Sequence, residues 1–133
     1  MNRLNCTNFL IPFGIFGKKD PSPNDGKPAK AAPRNISAKE AKAMMDAGGV
    51  FTILDVRTED EFQDAHIKGA VLIPVDEIAS RAEKKLTDKN AVILVYCASG
   101  ARSARAAKTL AGMGYTNVYN FGGIMSWPYD VVR

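Results

Sequence analysis

Ala91-Val92-Ile93-Leu94-Val95-Tyr96-Cys97-Ala98-Ser99-Gly100-Ala101-Arg102-Ser103 changes character in its middle. Six apolar residues stand in a row, without the alternation of a strand that has one wet face. Such a run fits a strand covered on both sides, as in a parallel sheet. A thiol closes the run, small residues follow, and Ser103 to Met113 carries Ala104, Ala107, Leu110 and Ala111 on one helical face before Gly114 ends it. Strand, tight loop and helix in that order form the unit of an open α/β sheet, whose ligands gather at the carboxyl ends of the strands.

Working outward, the same alternation continues. Downstream, Asn117-Val118-Tyr119-Asn120 reads as a strand, and Gly122-Gly123 leads into a short helix with Trp127. Upstream lie a helix from Asp76 to Leu86, a strand Val71-Leu72-Ile73 stopped by Pro74, a short helix from Glu59 to Asp64, and a strand from Phe51 to Val56. Ser37-Ala38-Lys39-Glu40 is a capping box opening a helix whose face is Ala41, Met44 and Met45 and whose end is Gly48-Gly49. A further short strand fits Arg34-Asn35-Ile36. The expected fold is an α/β three-layer sandwich, with about five strands in a mostly parallel sheet and helices on both faces.

The chain of 133 residues is long enough for one such domain. Its net charge of +4 is unevenly placed. Residues 1–35 hold six basic and two acidic side chains, leaving twelve of each sign in residues 36–133. The basic character therefore belongs to the tail, and the domain offers no nucleic-acid footprint. We expect residues 1–34 to be a flexible basic tail and linker, and residues 35–133 to be the domain. Phe9 to Phe16 is apolar but too short to span a bilayer, and Pro12 with Lys18-Lys19 makes it a poor secretory signal. It fits weak membrane-surface contact through its aromatics, or simply a sticky tail, which is the plainer reading. The two cysteines, Cys6 and Cys97, form no disulfide framework and suit a reducing compartment, hence a cytoplasmic location. With His66 as the one histidine, a protein-only zinc site lacks ligands, so no metal is expected.

Cys97 at a strand's carboxyl end, before a helix, reads as a nucleophile. Loop amides pointing inward form an anion nest, and the helix N-terminus favours the thiolate. Arg102 closes the loop and is expected to offer its planar fork to an oxyanion such as thiosulfate, phosphate or arsenate. Arg105 and Lys108 read as a solvated basic face. Asp55 ends the neighbouring strand and is expected to orient Arg57 or the loop, with Arg57 paired to a carboxylate. His66 is expected to satisfy a backbone carbonyl, Trp127 to anchor the core, and Gly69, Gly122 and Gly123 to take positive φ or allow close backbone approach. Cys6, in the tail, is a remote candidate for a resolving thiol.

Three stretches resemble the rhodanese (sulfurtransferase) domain. Asp55-Val56-Arg57 with Glu61-Phe62, His66-Ile67-Lys68-Gly69-Ala70 and Ile73-Pro74 is similar to the motif D-V-R, E-F, G-H-I-x-G-A, I-P, with Ala65 where glycine is common. Cys97, Gly100 and Arg102 match C-x-x-G-x-R of small single-domain members, and Gly122-Gly123 with Trp127 is similar to the terminal G-G-x-x-x-W. The resemblance covers roughly residues 35–130. It implies a rhodanese-like sandwich and a sulfurtransferase without cofactor. Cys97 would take a sulfane sulfur from a small anion such as thiosulfate, hold it as a persulfide among the amides of Ala98, Ser99, Gly100, Ala101, Arg102 and Ser103, and pass it to a thiol or protein acceptor. Two alternatives stay open. One is a sulfur carrier or protein-binding module with little thiosulfate turnover. The other, less favoured, is a cysteine phosphatase or arsenate reductase; those enzymes place five residues between cysteine and arginine, and here there are four.

Overall fold

Five parallel strands make one sheet in the computed structural model, which describes residues 32–133. In chain order the elements are β1 (Arg34–Asn35), α1 (Ala38–Asp46), β2 (Phe51–Asp55), α2 (Glu59–Asp64), β3 (Val71–Leu72), a 3-10 turn (Val75–Glu77), α3 (Ile78–Lys85), β4 (Val92–Cys97), α4 (Ala101–Gly112), β5 (Asn117–Gly123) and a second 3-10 turn (Ile124–Ser126). The strand order is β1-β5-β4-β2-β3, so β4, with Cys97 at its carboxyl end, is the central strand. The linker up to Ala31, Cys6, and the stretch 9–16 with its secretion and membrane readings lie outside the described residues. Arg34, at the boundary expected between tail and domain, already pairs with Tyr119 in the sheet.

The expected elements form, with shifts at their ends. Ser37 caps α1 reciprocally with Glu40, as the capping box requires. The long helix α4 starts at Ala101, two residues before the expected Ser103, because Gly100 turns the chain at once with φ 115°. The C-terminal helix reduces to a 3-10 turn. Trp127 is extended, as a residue before Pro128 prefers to be.

Two cores flank the sheet, and strand periodicity decides which side chain enters which. Leu54, Ile93, Val95 and Cys97 face α3 and α4, where Ile78, Ala82, Ala106, Ala107 and Leu110 cover them. Ile53, Leu94 and Tyr96 face α1 and the C-terminal segment, packed with Ala41, Phe121 and Trp127. Burying each leucine, isoleucine or valine among them stabilises the fold by about 1.5–3 kcal/mol. Asp55 follows Ile53 by two residues, so its carboxylate lies on the Tyr96 side of the sheet while the Cys97 thiol points to the other.

The ladder between β4 and β5 is irregular at the functional edge. Val95 pairs with Asn120, but Cys97 pairs with Gly123, so β5 carries one extra residue there. Gly122, with φ 93°, absorbs the bulge. Its effect is to bring Gly123 directly against the loop that follows Cys97.

Candidate active site

The chain leaves β4 at Cys97, bends through Ala98, Ser99 and Gly100, and enters α4 at Ala101. A helix start leaves several N–H groups without intrahelical partners. Here Gly100 occupies the N-cap and supplies no side-chain cap. Cys97 takes that place: the amide of Ser103, the third helical residue, acts on the thiol as it would on a capping side chain, and the Gly100 N–H donates to Cys97 Sγ at 2.9 Å. The thiol is 1% exposed, and this burial raises its pKa. The Ser103 hydroxyl and the amides of Ser103, Gly100 and Ser99 act in the opposite direction and prevail, holding the thiol below its ordinary value.

Of these donors the amides are the fixed ones. The Ser103 hydroxyl has one proton and stands 2.7 Å from Asn120 Oδ1, 3.0 Å from the Gly100 carbonyl and 3.2 Å from that of Gly122. It reaches the sulfur only when that proton swings away from Asn120. Buried Asn120 also accepts the Gly122 N–H at 3.0 Å, so one side chain ties the bulge of β5 to the first turn of α4. Sequence reasoning did not single it out. The available signal was a polar residue ending an apolar strand just before Gly122-Gly123.

The remaining loop residues have other partners. The Ala98 carbonyl accepts the Met125 N–H at 3.1 Å, fastening the loop to the C-terminal turn. Ala101 is exposed. A Cβ on Gly123 would fall inside the Ala98 carbonyl group and 2.6 Å from Ser99 N, so this glycine is required by close approach; its φ is −144°. Gly122 and Gly69 take the positive φ expected of them.

Arg102 directs its fork at Glu61 of α2. Nη1 and Nη2 donate to Oε1 and Oε2 at 2.8 and 2.9 Å, a bidentate pair. The partner raises the guanidinium pKa and holds the Glu61 carboxyl at about 2. Glu61 also closes the capping box of α2, its Oε1 accepting from Thr58 N at 3.0 Å and Thr58 Oγ1 at 3.1 Å. Glu61 entered the sequence reading only as part of a motif. Thr58 three residues before it was the overlooked sign of a carboxylate held at a helix start.

Asp55 and Arg57 form a separate buried clamp. Arg57 Nε and Nη2 meet Asp55 Oδ1 and Oδ2 at 3.0 and 2.7 Å, and Nη2 donates to the Ala65 carbonyl at 2.5 Å. The Arg57 guanidinium lies over the Tyr96 ring, on the sheet face opposite the thiol, and its bond to the Ala65 carbonyl fixes the segment that enters His66. His66 Nδ1 contacts the Phe62 carbonyl at 2.9 Å. Trp127 packs between Phe121 and Tyr129. Arg105 pairs with Asp76 on the surface. Two grooves of about 590 and 540 Å³ are lined by α2, β3 and α3 residues and by α1 and C-terminal residues respectively; the Cys97 loop lines neither. Among the described residues no helix is long and apolar enough to cross a membrane.

The family profile of the rhodanese-like domain matches residues 37–129. Thiosulfate sulfurtransferase PspE of Escherichia coli (strain K12) is 41% identical over 71 residues, which is 53% of this chain and 68% of that protein. YrkF of Bacillus subtilis (strain 168), named as a candidate sulfur carrier, is 38% identical over 93 residues, 69% of this chain and 49% of that one. Among solved structures, a rhodanese with anions from Escherichia coli superposes with a TM-score of 0.60 at 36% identity, covering 63% of this chain and 99% of that chain.

Proposed function

From the premise that this chain belongs to the rhodanese-like domain family, we propose that it is a sulfurtransferase working through a persulfide on Cys97. The Cys97 thiolate attacks the outer sulfur of thiosulfate or a related donor. A new S–S bond forms at Cys97, the donor's bond to that sulfur breaks, and its electron pair leaves with sulfite. The persulfide then gives its outer sulfur to a thiophilic acceptor, regenerating the thiolate. No redox partner is consumed, since each attack supplies the electron pair that the leaving group carries off. The loop amides stabilise negative sulfur before and after transfer.

One observation carries this reading: Cys97 Sγ stands where the N-cap side chain of α4 would stand, with the Gly100 N–H 2.9 Å away. The test is intact mass after thiosulfate exposure. The unmodified chain should gain one sulfur atom and lose it to cyanide, and Cys97→Ser should gain none. Equal sulfur uptake by both chains defeats the assignment.

A second reading, a sulfur carrier with little thiosulfate turnover, is favoured by the engagement of Arg102 with Glu61 and by the likeness to YrkF. A carrier would load sulfur stoichiometrically from a persulfide on a partner and turn over thiosulfate poorly. Phosphate-ester chemistry finds less support: the Arg102 fork is directed at a carboxylate, and four residues separate it from Cys97. A cytoplasmic setting, where thiols stay reduced, suits either sulfur-transfer reading.

A further inference from the structure

We infer that Glu61 sets the charge of donor this site accepts, by occupying the Arg102 fork that an inorganic dianion needs. The inference rests on the sulfur-transfer reading and names the substrate class within it. As the third helical residue of α2, Glu61 closes a capping box with Thr58. Glutamine serves that box as well as glutamate does. The negative charge is therefore not required by α2. Its consumer is Arg102, 41 residues away in the chain, held through both oxygens.

The pair joins the first turn of α4, directly after the Cys97 loop, to α2, and the Cys97 charge acts on Arg102. The two side chains are 35% and 34% exposed, so water and solutes reach them. The other nearby guanidinium groups are engaged as well: Arg57 with Asp55 on the opposite sheet face, and Arg105 with Asp76 further along α4. With Arg102 neutralised by Glu61, the thiolate leaves the site with one net negative charge. Thiosulfate, a dianion, meets that charge with no free fork to offset it. A donor whose outer sulfur sits on a monoanionic or neutral group meets much weaker repulsion. The site thus selects low-charge sulfane carriers, such as organic thiosulfonates or persulfides, over the inorganic dianion.

For such a donor the step is the same. The Cys97 thiolate bonds to the outer sulfur, that sulfur's bond to the donor breaks, and the donor leaves with the pair as a sulfinate or thiolate. No oxidant or reductant enters.

The experiment compares kcat/KM for thiosulfate and for an alkanethiosulfonate, with cyanide as acceptor, in the full chain, in Glu61→Gln, and in Glu61→Gln/Arg102→Met. The thiosulfonate carries the same outer sulfur on a sulfonyl group with one charge fewer. The thiosulfate-to-thiosulfonate ratio should rise roughly tenfold in Glu61→Gln, as expected for one added unit of attraction at a partly exposed site. It should return to near its original value in the double variant. A ratio unchanged within about twofold in Glu61→Gln, with sulfur still loading onto Cys97, overturns the inference and leaves the sulfur-transfer reading intact. Failure of both donors to load Cys97 in every chain overturns the sulfur-transfer reading instead. Should Glu61→Gln lose its helical circular dichroism, the unmutated chain carries the test. Its ratio should rise severalfold between roughly 0.02 and 0.5 M salt, because screening relieves the dianion more. A flat or falling ratio refutes it.

Discussion

Replacing Gly123 by alanine adds one methyl group at the point where β5 touches the loop after Cys97. An ideal Cβ there would lie 2.6 Å from Ser99 N and closer still to the Ala98 carbonyl. Comfortable carbon contacts settle near 3.5–4.0 Å, so the loop must withdraw by roughly an ångström or more. Both colliding groups are backbone, and neither can rotate aside. Overpacking of this kind costs about 1–3 kcal/mol, and losing the Met125 N–H to Ala98 carbonyl bond adds about 1 kcal/mol. The expected loss of stability is about 2–4 kcal/mol. The same withdrawal moves the Ser99 and Gly100 amides off the sulfur, and a displacement of that size at a reacting group is worth on the order of a hundredfold in rate. Gly122→Ala is the control. Its Cβ meets nothing within 4 Å, so only the strain of φ 93° remains, roughly 1–2 kcal/mol. Urea unfolding followed by the single tryptophan, Trp127, measures stability. The pH dependence of iodoacetamide alkylation, in a Cys6→Ser background, measures the thiolate. Gly123→Ala should be the less stable of the two and should raise the alkylation midpoint. If it unfolds within about 0.5 kcal/mol of the parent and alkylates with the parent's pH profile, close packing of β5 on the loop does not shape the cradle.

Asp55→Ala strands the Arg57 guanidinium, which is 5% exposed, and should cost about 3–5 kcal/mol by chemical denaturation. Removing both charges, as Asp55→Leu with Arg57→Met, should cost less than the single change. Ser103→Ala should move the Cys97 alkylation midpoint upward, since the hydroxyl helps hold the thiol down, and should leave part of the lowering in place, since the fixed amides remain; no movement would mean that the hydroxyl proton stays directed at Asn120. Glu61 has a folded pKa of about 2 against an ordinary 4.5, so its contribution to stability is present above pH 4.5 and disappears as pH falls through 2. Discounted for solvent screening, the advantage over Glu61→Gln should be on the order of 1 kcal/mol at neutral pH and should shrink across that acid window in urea midpoints.

Much of the fold was legible from contiguous residues. The unbroken apolar run of β4 announced a strand covered on both faces, and the Ser37–Glu40 box announced α1, because both signals are local. The position of Cys97 was legible for the same reason: a thiol between a buried strand and a helix start needs no distant partner to be recognised. The extension of β5 to Gly123 was hidden, because a bulge is a mismatch between two strands and belongs to neither sequence segment. The partner of Arg102 was hidden likewise. Nothing within the loop says whether its fork faces solvent or a carboxylate supplied by α2.

What the chain of residues determined by itself is the alternation of elements, the parallel sheet and the placement of Cys97 at the start of α4. These follow from periodicity and capping chemistry, which act over a few neighbouring positions. Tertiary structure alone decided that Asp55 and Arg57 lie across the sheet from the sulfur, that Gly123 supports the loop, and that Glu61 holds Arg102. The reason is physical. Those outcomes depend on the strand order, on pleat parity between paired strands, and on which helix end reaches Arg102, and all three are set only when the sheet has assembled.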